Sequence, residues 1–376
     1  MTSELPPIAL FGYDSSPFTT KIRLTLRLMQ IPYTFVLVPS MMPRPILVDN
    51  FNLTYRKIPV LAIGKEIIVD TSLIMEWLHS HPYLCAFRDM GREVHHDAKG
   101  RALARLLSSY VTDRPLFRLT TGLIPSVVWR THFGKDRAGL IGHALDADKL
   151  EKKVPQNLAG LDTFLSVVEP LFAELGKGNS GWILGDEEPS AADLSFYYQL
   201  DWGDKISRGE GINDLTGGEA GNGIGEGMRE VFNQKRYPGL WAWFGRFRQY
   251  LEALPNQETR IEKGDEQGVE DLMSRLAASA RSEEVPLLPT STQLQTKLEA
   301  RNGLEVGELV KVMPDDTGFN DPTIGMLLAL SPEEVVIEPS SPEAVDKAGR
   351  KARVGGLRLH FPRIGFRVVR VKPSKL

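Results

Sequence analysis

The apolar period changes twice along this 376-residue chain, and those two changes divide it before any single motif is considered. Residues 8 to 80 alternate strand-like runs with helical spacing: "IALFGY", a helix from about Pro17 to Gln30, "YTFVLVP", "VLAI", "EIIV", and a helix from about Thr71 to His79. From about Arg92 to Leu254 apolar residues recur three and four apart, as in "NLAGLDTFLSVVEPLFAEL", "AADLSFYYQLDW" and "LWAWFGRFRQYLEAL". A polar stretch with prolines at residues 282 to 292, "SEEVPLLPTST", reads as a linker, and strand-like runs follow it: "GELVKVMP", "GMLLALS", "EVVIEP" and "GLRLHFPRIGFRVVRV". The pattern predicts an α/β unit over residues 6–82, an all-helical unit over 92–256 and a small, mostly-β unit over 293–376. In the last run Leu357, Leu359 and Phe361 share one face, but after Pro362 the apolar set moves to Ile364, Phe366 and Val368, which predicts a bulge at Pro362.

Composition removes several classes of function. A formal net charge of -3 argues against non-specific capture of nucleic acid or anionic membrane. No stretch has the roughly 18 uninterrupted apolar residues of a membrane helix, and "MTSELPPIAL" lacks a basic segment followed by an apolar one, so a cytoplasmic protein without membrane insertion is expected. The single cysteine, Cys85, excludes an internal disulfide and reads as a packing residue. His95, His96, His132 and His143 show no metal-binding spacing and read as solvated or capping residues. Glycines in residues 215 to 228, "LTGGEAGNGIGEGM", follow no strand and read as a loop between helices rather than a phosphate cradle. Arg350, Lys351, Arg353, Arg358, Arg363, Arg367 and Arg370 make the end of the chain basic, and read as the solvent face of strands with acidic partners from "SPEEVVIEP".

Three short stretches of the α/β unit can carry chemistry. In "SSPFTTKIRLTL", Ser16 followed by Pro17 is a common way to start a helix, and the same geometry sets a hydroxyl beside the positive end of a helix dipole, where a thiolate is stabilised. In "YRKIPVLAIG", Pro59 precedes a strand; a trans bond makes it an ordinary strand opener, whereas a cis bond turns the Ile58 backbone outward to pair with an extended peptide. In "EIIVDTSLIMEWL", Asp70 or Thr71 can cap the second helix, or the first-turn amides can take a ligand carboxylate while Asp70 takes an amine.

Taken in this order, the three stretches resemble the glutathione transferase family, over residues 8 to about 254. The resemblance implies a thioredoxin-like N-terminal domain, an all-α C-terminal domain of the glutathione transferase kind and, beyond the ordinary family, a small mostly-β domain. It places Ser16 where the family's serine hydroxyl meets the glutathione sulfur, with Ser15 and Phe18 in the same cofactor-binding turn. It further implies that the Ile58 backbone before a cis Pro59 pairs with the cysteinyl unit, that Asp70 and Thr71 hold the γ-glutamyl group, and that Lys57 meets the glycyl end. Ser190 and Asp193 in "WILGDEEPSAADLSFYY" match the family's S-x-x-D capping box. "GELVKVMPDDTGFNDPTIGMLLALS" and "LHFPRIGFRV" are similar to the extra domain of certain fungal glutathione transferase-like proteins, several of which accompany secondary-metabolite pathways, glutathione-dependent isomerases among them.

The implied activity is addition of a glutathione thiolate to an electrophile or a conjugated polyene, ending either in a conjugate or in cis/trans isomerisation. Serine rather than cysteine at position 16 argues against mixed-disulfide chemistry. Tyr110, Phe117, Trp129, Tyr197 and Trp202 are candidates for the wall of the electrophile pocket and equally for helix-packing core. A homodimer through the N-terminal domain fits the family pattern, unless the extra domain blocks it. The alternative is a non-catalytic protein that uses the last segment to dock a partner enzyme.

Overall fold

The computed structural model describes residues 6–80, 84, 98–175, 177, 181–185, 187–221, 227–339 and 354–371. Cys85, His95, His96, Arg350, Lys351 and Arg353 lie outside the described residues. The strands are β1 (Ile8–Gly12), β2 (Tyr33–Leu37), β3 (Val60–Ile63), β4 (Glu66–Val69), β5 (Glu258–Ile261), β6 (Leu309–Pro314), β7 (Thr323–Leu330), β8 (Glu334–Pro339), β9 (Arg358–Pro362) and β10 (Phe366–Arg370). All belong to one sheet in the order β10-β6-β7-β8-β9-β4-β3-β1-β2-β5. The C-terminal strands therefore continue the N-terminal sheet: β9 pairs in parallel with β4, with Glu66 opposite Arg358 and Ile68 opposite His360.

Alternation along β1 builds two cores. Ile8 and Leu10 pack under α1 (Pro17–Leu28), against Ile22 and Leu26, and under α3 (Thr71–Ser80), against Ile74 and Trp77. Ala9 and Phe11 face the other way, toward Leu47 and Phe51 of α2 (Pro45–Phe51) and Leu272, Met273 and Leu276 of a later helix, Glu266–Ala278. That core runs on without a break through Val310, Val312, Leu327, Val335, Ile337, Leu359 and Phe361 of the C-terminal strands.

The second unit begins with α4 (Ala98–Leu106), a π-helical stretch (Leu107–Leu116), α5 (Phe117–Thr121) and α6 (Ser126–Trp129). It continues with α7 (His132–Ile141), α8 (Ala147–Lys152), α9 (Val154–Leu175), α10 (Ala191–Ser207), α11 (Ile212–Thr216) and α12 (Pro238–Ala253). Phe172 of α9, Phe196 of α10, and Trp243 and Phe247 of α12 are at the centre of its core. The predicted capping box closes at the start of α10, with Ser190 and Asp193 each accepting from the other's backbone. Among the described residues no helix is long and apolar enough to cross a membrane.

Three expectations need correction. The last apolar run is two strands, not one bulged strand: Arg363–Gly365 breaks it, Gly365 at φ +80, and the halves pair with different neighbours, β9 with β8 and β4, β10 with β6. In a flat sheet β9 and β10 would stand roughly 19 Å apart, four steps of about 4.8 Å, yet Pro362 to Phe366 reaches roughly 14 Å fully extended, so the C-terminal strands must curl. Arg358 is not on a solvent face; it is buried and pairs with Glu66 rather than with "SPEEVVIEP". The polar stretch 282–292 is not a free linker either, since Leu288 is buried, its N–H donates to Glu334, and the carbonyls of Ser282 and Glu284 accept from Arg358.

At the end of β1 a β-carbon on Gly12 would lie 2.4 Å from the Thr19 methyl of buried α1. Gly12→Ala is expected to cost about 1–3 kcal/mol through this overpacking. Urea denaturation checks it, and an unchanged midpoint would mean that the turn relaxes freely.

Candidate active site

Ladder register brings the three singled-out stretches to one end of the sheet. Phe11 near the end of β1 is opposite Val60 at the start of β3, and Val60 is opposite Val69 at the end of β4. The turn into α1, the approach to Pro59 and the turn into α3 are thus neighbours by construction. The Ile58–Pro59 bond is cis.

Ser16 is buried at the N-cap of α1, where its Oγ accepts from the Thr19 N–H at 3.2 Å. The cap uses a lone pair only, so the hydroxyl proton stays available to an acceptor set beside the helix N-terminus. Asp70 caps α3: its Oδ1 accepts from the Ser72 N–H at 3.0 Å and the Ser72 hydroxyl at 2.6 Å. Its φ of +71 is unusual for a residue with a side chain and stores about 1–3 kcal/mol, strain that structures concentrate at functional turns.

Sequence reasoning missed the charged pair behind this turn. Lys21 of α1, fully buried, donates to Asp113 of the π-helical stretch at 2.7 Å. Asp113 also accepts from the Tyr198 hydroxyl at 2.5 Å and from the Thr71 hydroxyl at 3.5 Å. Burial, with Asp113 alongside, pushes the Tyr198 phenol well above its usual range and keeps it a donor. A lysine in the same buried stripe as Ile22, Thr25 and Leu26 was the signal available; its partner, 92 residues away, carried none.

The other anticipated residues are placed as follows. Ser15 is buried and held by the helical unit: its N–H donates to Asp214 at 2.8 Å and its carbonyl accepts from the Trp202 indole at 2.8 Å. Phe18 packs on Phe117 with ring centroids 4.8 Å apart. Lys57 forms an ion pair with Asp316 at 2.5 Å, so a loop of the C-terminal segment borders the site. Trp202 and Trp129 join Tyr13, Ile58, Val128 and Phe133 in an apolar cluster beside the cis-proline. Tyr197 stacks on Phe247 inside the helical core, and Tyr110 lies exposed against Arg114. Arg44, buried beside these turns, donates to the carbonyls of Pro39 and Ser40, and its burial, with Arg137 and Arg56 nearby, lowers its pKa to about 10. His132 is exposed and pairs with Glu219. Among the described residues no group of three or more His, Cys, Asp or Glu side chains is placed to hold a metal ion.

Residues 10–83 match the family model described as glutathione S-transferase, N-terminal domain, and residues 121–213 match a domain of unknown function, DUF7962. Residues 10–83 are therefore similar to the N-terminal domain of glutathione S-transferases. Among curated proteins it is similar to glutathione S-transferases U4 and U3 of Arabidopsis thaliana, 27% and 28% identical over 78 residues. Those matches take in 21% of this chain and about a third of each relative, 34% and 35%. A solved GST-like protein from Pseudomonas syringae superposes with a TM-score of 0.61 at 20% identity, covering 98% of this chain and 100% of that one, which shows a shared fold.

Proposed function

We propose that this protein binds glutathione at the shared end of β1, β3 and β4 and activates its thiol for addition to an electrophilic carbon. The observation that carries this reading is the register that gathers the Ser16 cap, the cis Ile58–Pro59 bond and the Asp70–Thr71 turn at one sheet end. Ser16 donates its hydroxyl proton to the sulfur, the Ile58 backbone pairs with the cysteinyl unit, and Asp70 and Thr71 take the γ-glutamyl group, with Asp113 behind them. Lys57 meets the glycyl end, and the cluster around Trp202 and Trp129 receives the second substrate. A free thiol has a pKa of about 8.5; one hydrogen bond and a helix N-terminus lower it by about one to two units.

With the thiolate formed, attack on an isolated electrophile gives a conjugate. Reversible addition to a conjugated alkene gives an adduct whose former double bond rotates before the thiolate leaves, and glutathione is recovered unchanged. The resemblance of the last segment to fungal secondary-metabolism proteins supports a polyene as the second substrate and a cytoplasmic setting. Any homodimer must use a surface other than the edge of β4, which β9 covers.

The deciding experiment is a titration of the protein with reduced glutathione, following thiolate absorbance against pH. Thiolate appearing about one to two pH units below the free thiol is expected. Binding without that displacement, or no binding, would remove the proposal.

A further inference from the structure

The loop between β6 and β7, residues 315–322, reaches out of the C-terminal strands to the approach to the cis-proline. It is tied down at both ends of that approach. The Thr54 hydroxyl donates to the Pro322 carbonyl at 2.8 Å, and Arg56, itself paired with Asp136 at 3.0 Å, lies 3.6 Å from Asp321. The Gly318 N–H, in a left-handed turn at φ +79, donates to the Leu140 carbonyl at the end of α7 at 2.8 Å. Two residues before Gly318, Asp316 sets a carboxylate on the ammonium of Lys57, the residue before the Ile58 backbone that would pair with a peptide ligand. Although partial burial pushes the Asp316 carboxyl upward, its hydrogen bond to Lys57 and the Lys57 charge hold it below its usual range, so it is ionised at neutral pH.

We propose that Asp316 is a specificity-determining residue that competes with the glycyl carboxylate of glutathione for Lys57. The inference rests on the glutathione reading above and adds to it a role for the C-terminal segment. Two carboxylates cannot both take one ammonium at full strength, so a bound peptide must displace Asp316 or share Lys57 with it at a cost in like-charge repulsion. The pair is exposed enough to open readily, Lys57 at 26% and Asp316 at 55%. An exposed pair of this kind changes affinity by about fivefold at most. The wild-type site therefore discriminates weakly between a thiol peptide with a free C-terminal carboxylate and one whose carboxylate is masked.

The test is calorimetric titration of the full chain and of Asp316→Asn with two probes, glutathione and its glycyl ethyl ester, with thermal melts to show that both proteins are folded. Asp316→Asn should bind glutathione about fivefold tighter and the ester within twofold of wild type. Lys57→Gln made in Asp316→Asn should abolish the gain. Equal changes for both probes, no change, or weaker glutathione binding would overturn the competition while leaving the glutathione site standing. Failure of every variant to bind either probe would remove the glutathione reading, and this inference with it.

Discussion

Ser16→Ala is expected to lower glutathione-dependent turnover at pH 6.5 by up to about fiftyfold while the chain stays folded. The size follows from the thiolate fraction: each unit of pKa depression is worth about 1.36 kcal/mol, and at pH 6.5 losing the Ser16 share of a one- to two-unit depression lowers that fraction from at most about one half toward the roughly one hundredth of a free thiol. The substitution also deletes the cap of α1, where Ser16 Oγ accepts from the Thr19 N–H, at about 0.5–2 kcal/mol of stability. Ser16→Gly separates the two effects, because glycine at this position costs only a few tenths of a kcal/mol as a cap yet has no hydroxyl. If the hydroxyl acts on sulfur, the two variants lose turnover alike, and the loss shrinks toward high pH, where free glutathione ionises unaided. If Ser16→Gly retains wild-type rates, Ser16 is a cap and the proposed chemistry is wrong.

The parts of the site that the sequence made legible are those whose signal is local. Ser16-Pro17, Ile58-Pro59 and Asp70-Thr71 each announce a turn through backbone chemistry confined to a few residues. Their meeting at one sheet end follows once β3 pairs antiparallel with both β1 and β4. What stayed hidden depends on residues far apart. Asp113 reads as an ordinary polar position until the fold sets it on Lys21 and Thr71. Asp316 lies 259 residues from Lys57.

Polarity concealed other elements. β5, "ETRI", has one buried residue in four and no alternation, so nothing in its composition says that it extends the sheet alongside β2. The C-terminal strands do alternate, but alternation reports one buried face, not which sheet shares it. Arg358, which shares with His360 the face opposite Leu359, reads as solvent-facing charge because polar residues in a strand usually are. Both are buried because α3 and the 282–288 stretch cover that face and Glu66 and Glu334 neutralise it.

That polar seam gives the largest expected effect on stability. His360, fully buried, is bracketed by Glu334 on Nδ1 at 2.5 Å and Glu66 on Nε2 at 2.8 Å. Glu334 also accepts from the Trp77 indole at 2.9 Å and the Leu288 N–H at 3.0 Å, and Glu66 from Arg358 at 3.2 Å. A neutral imidazole has one N–H and can donate to one carboxylate; the imidazolium satisfies both. Burial alone pushes the His360 pKa down, but the charge and hydrogen bonds of Glu334 and Glu66 more than reverse this and hold it above 6.5. His360→Ala removes the shared cation, the edge contact with Trp77 at 4.6 Å and the strongest polar tie between β4, β8 and β9. It should cost about 3–5 kcal/mol, as for breaking other buried pairs, against a total stability of about 5–15 kcal/mol. The pH dependence identifies the cause. Because the folded protein holds this proton more tightly than the unfolded chain, the stabilisation is complete below about pH 6.5 and declines as pH rises through the elevated folded value, at up to about 1.36 kcal/mol per pH unit. Denaturant unfolding of wild type and His360→Ala from pH 6 to 9 should show two curves converging as pH rises. Parallel curves would mean that His360 stabilises the seam by packing alone and that its charge is not shared between the two glutamates.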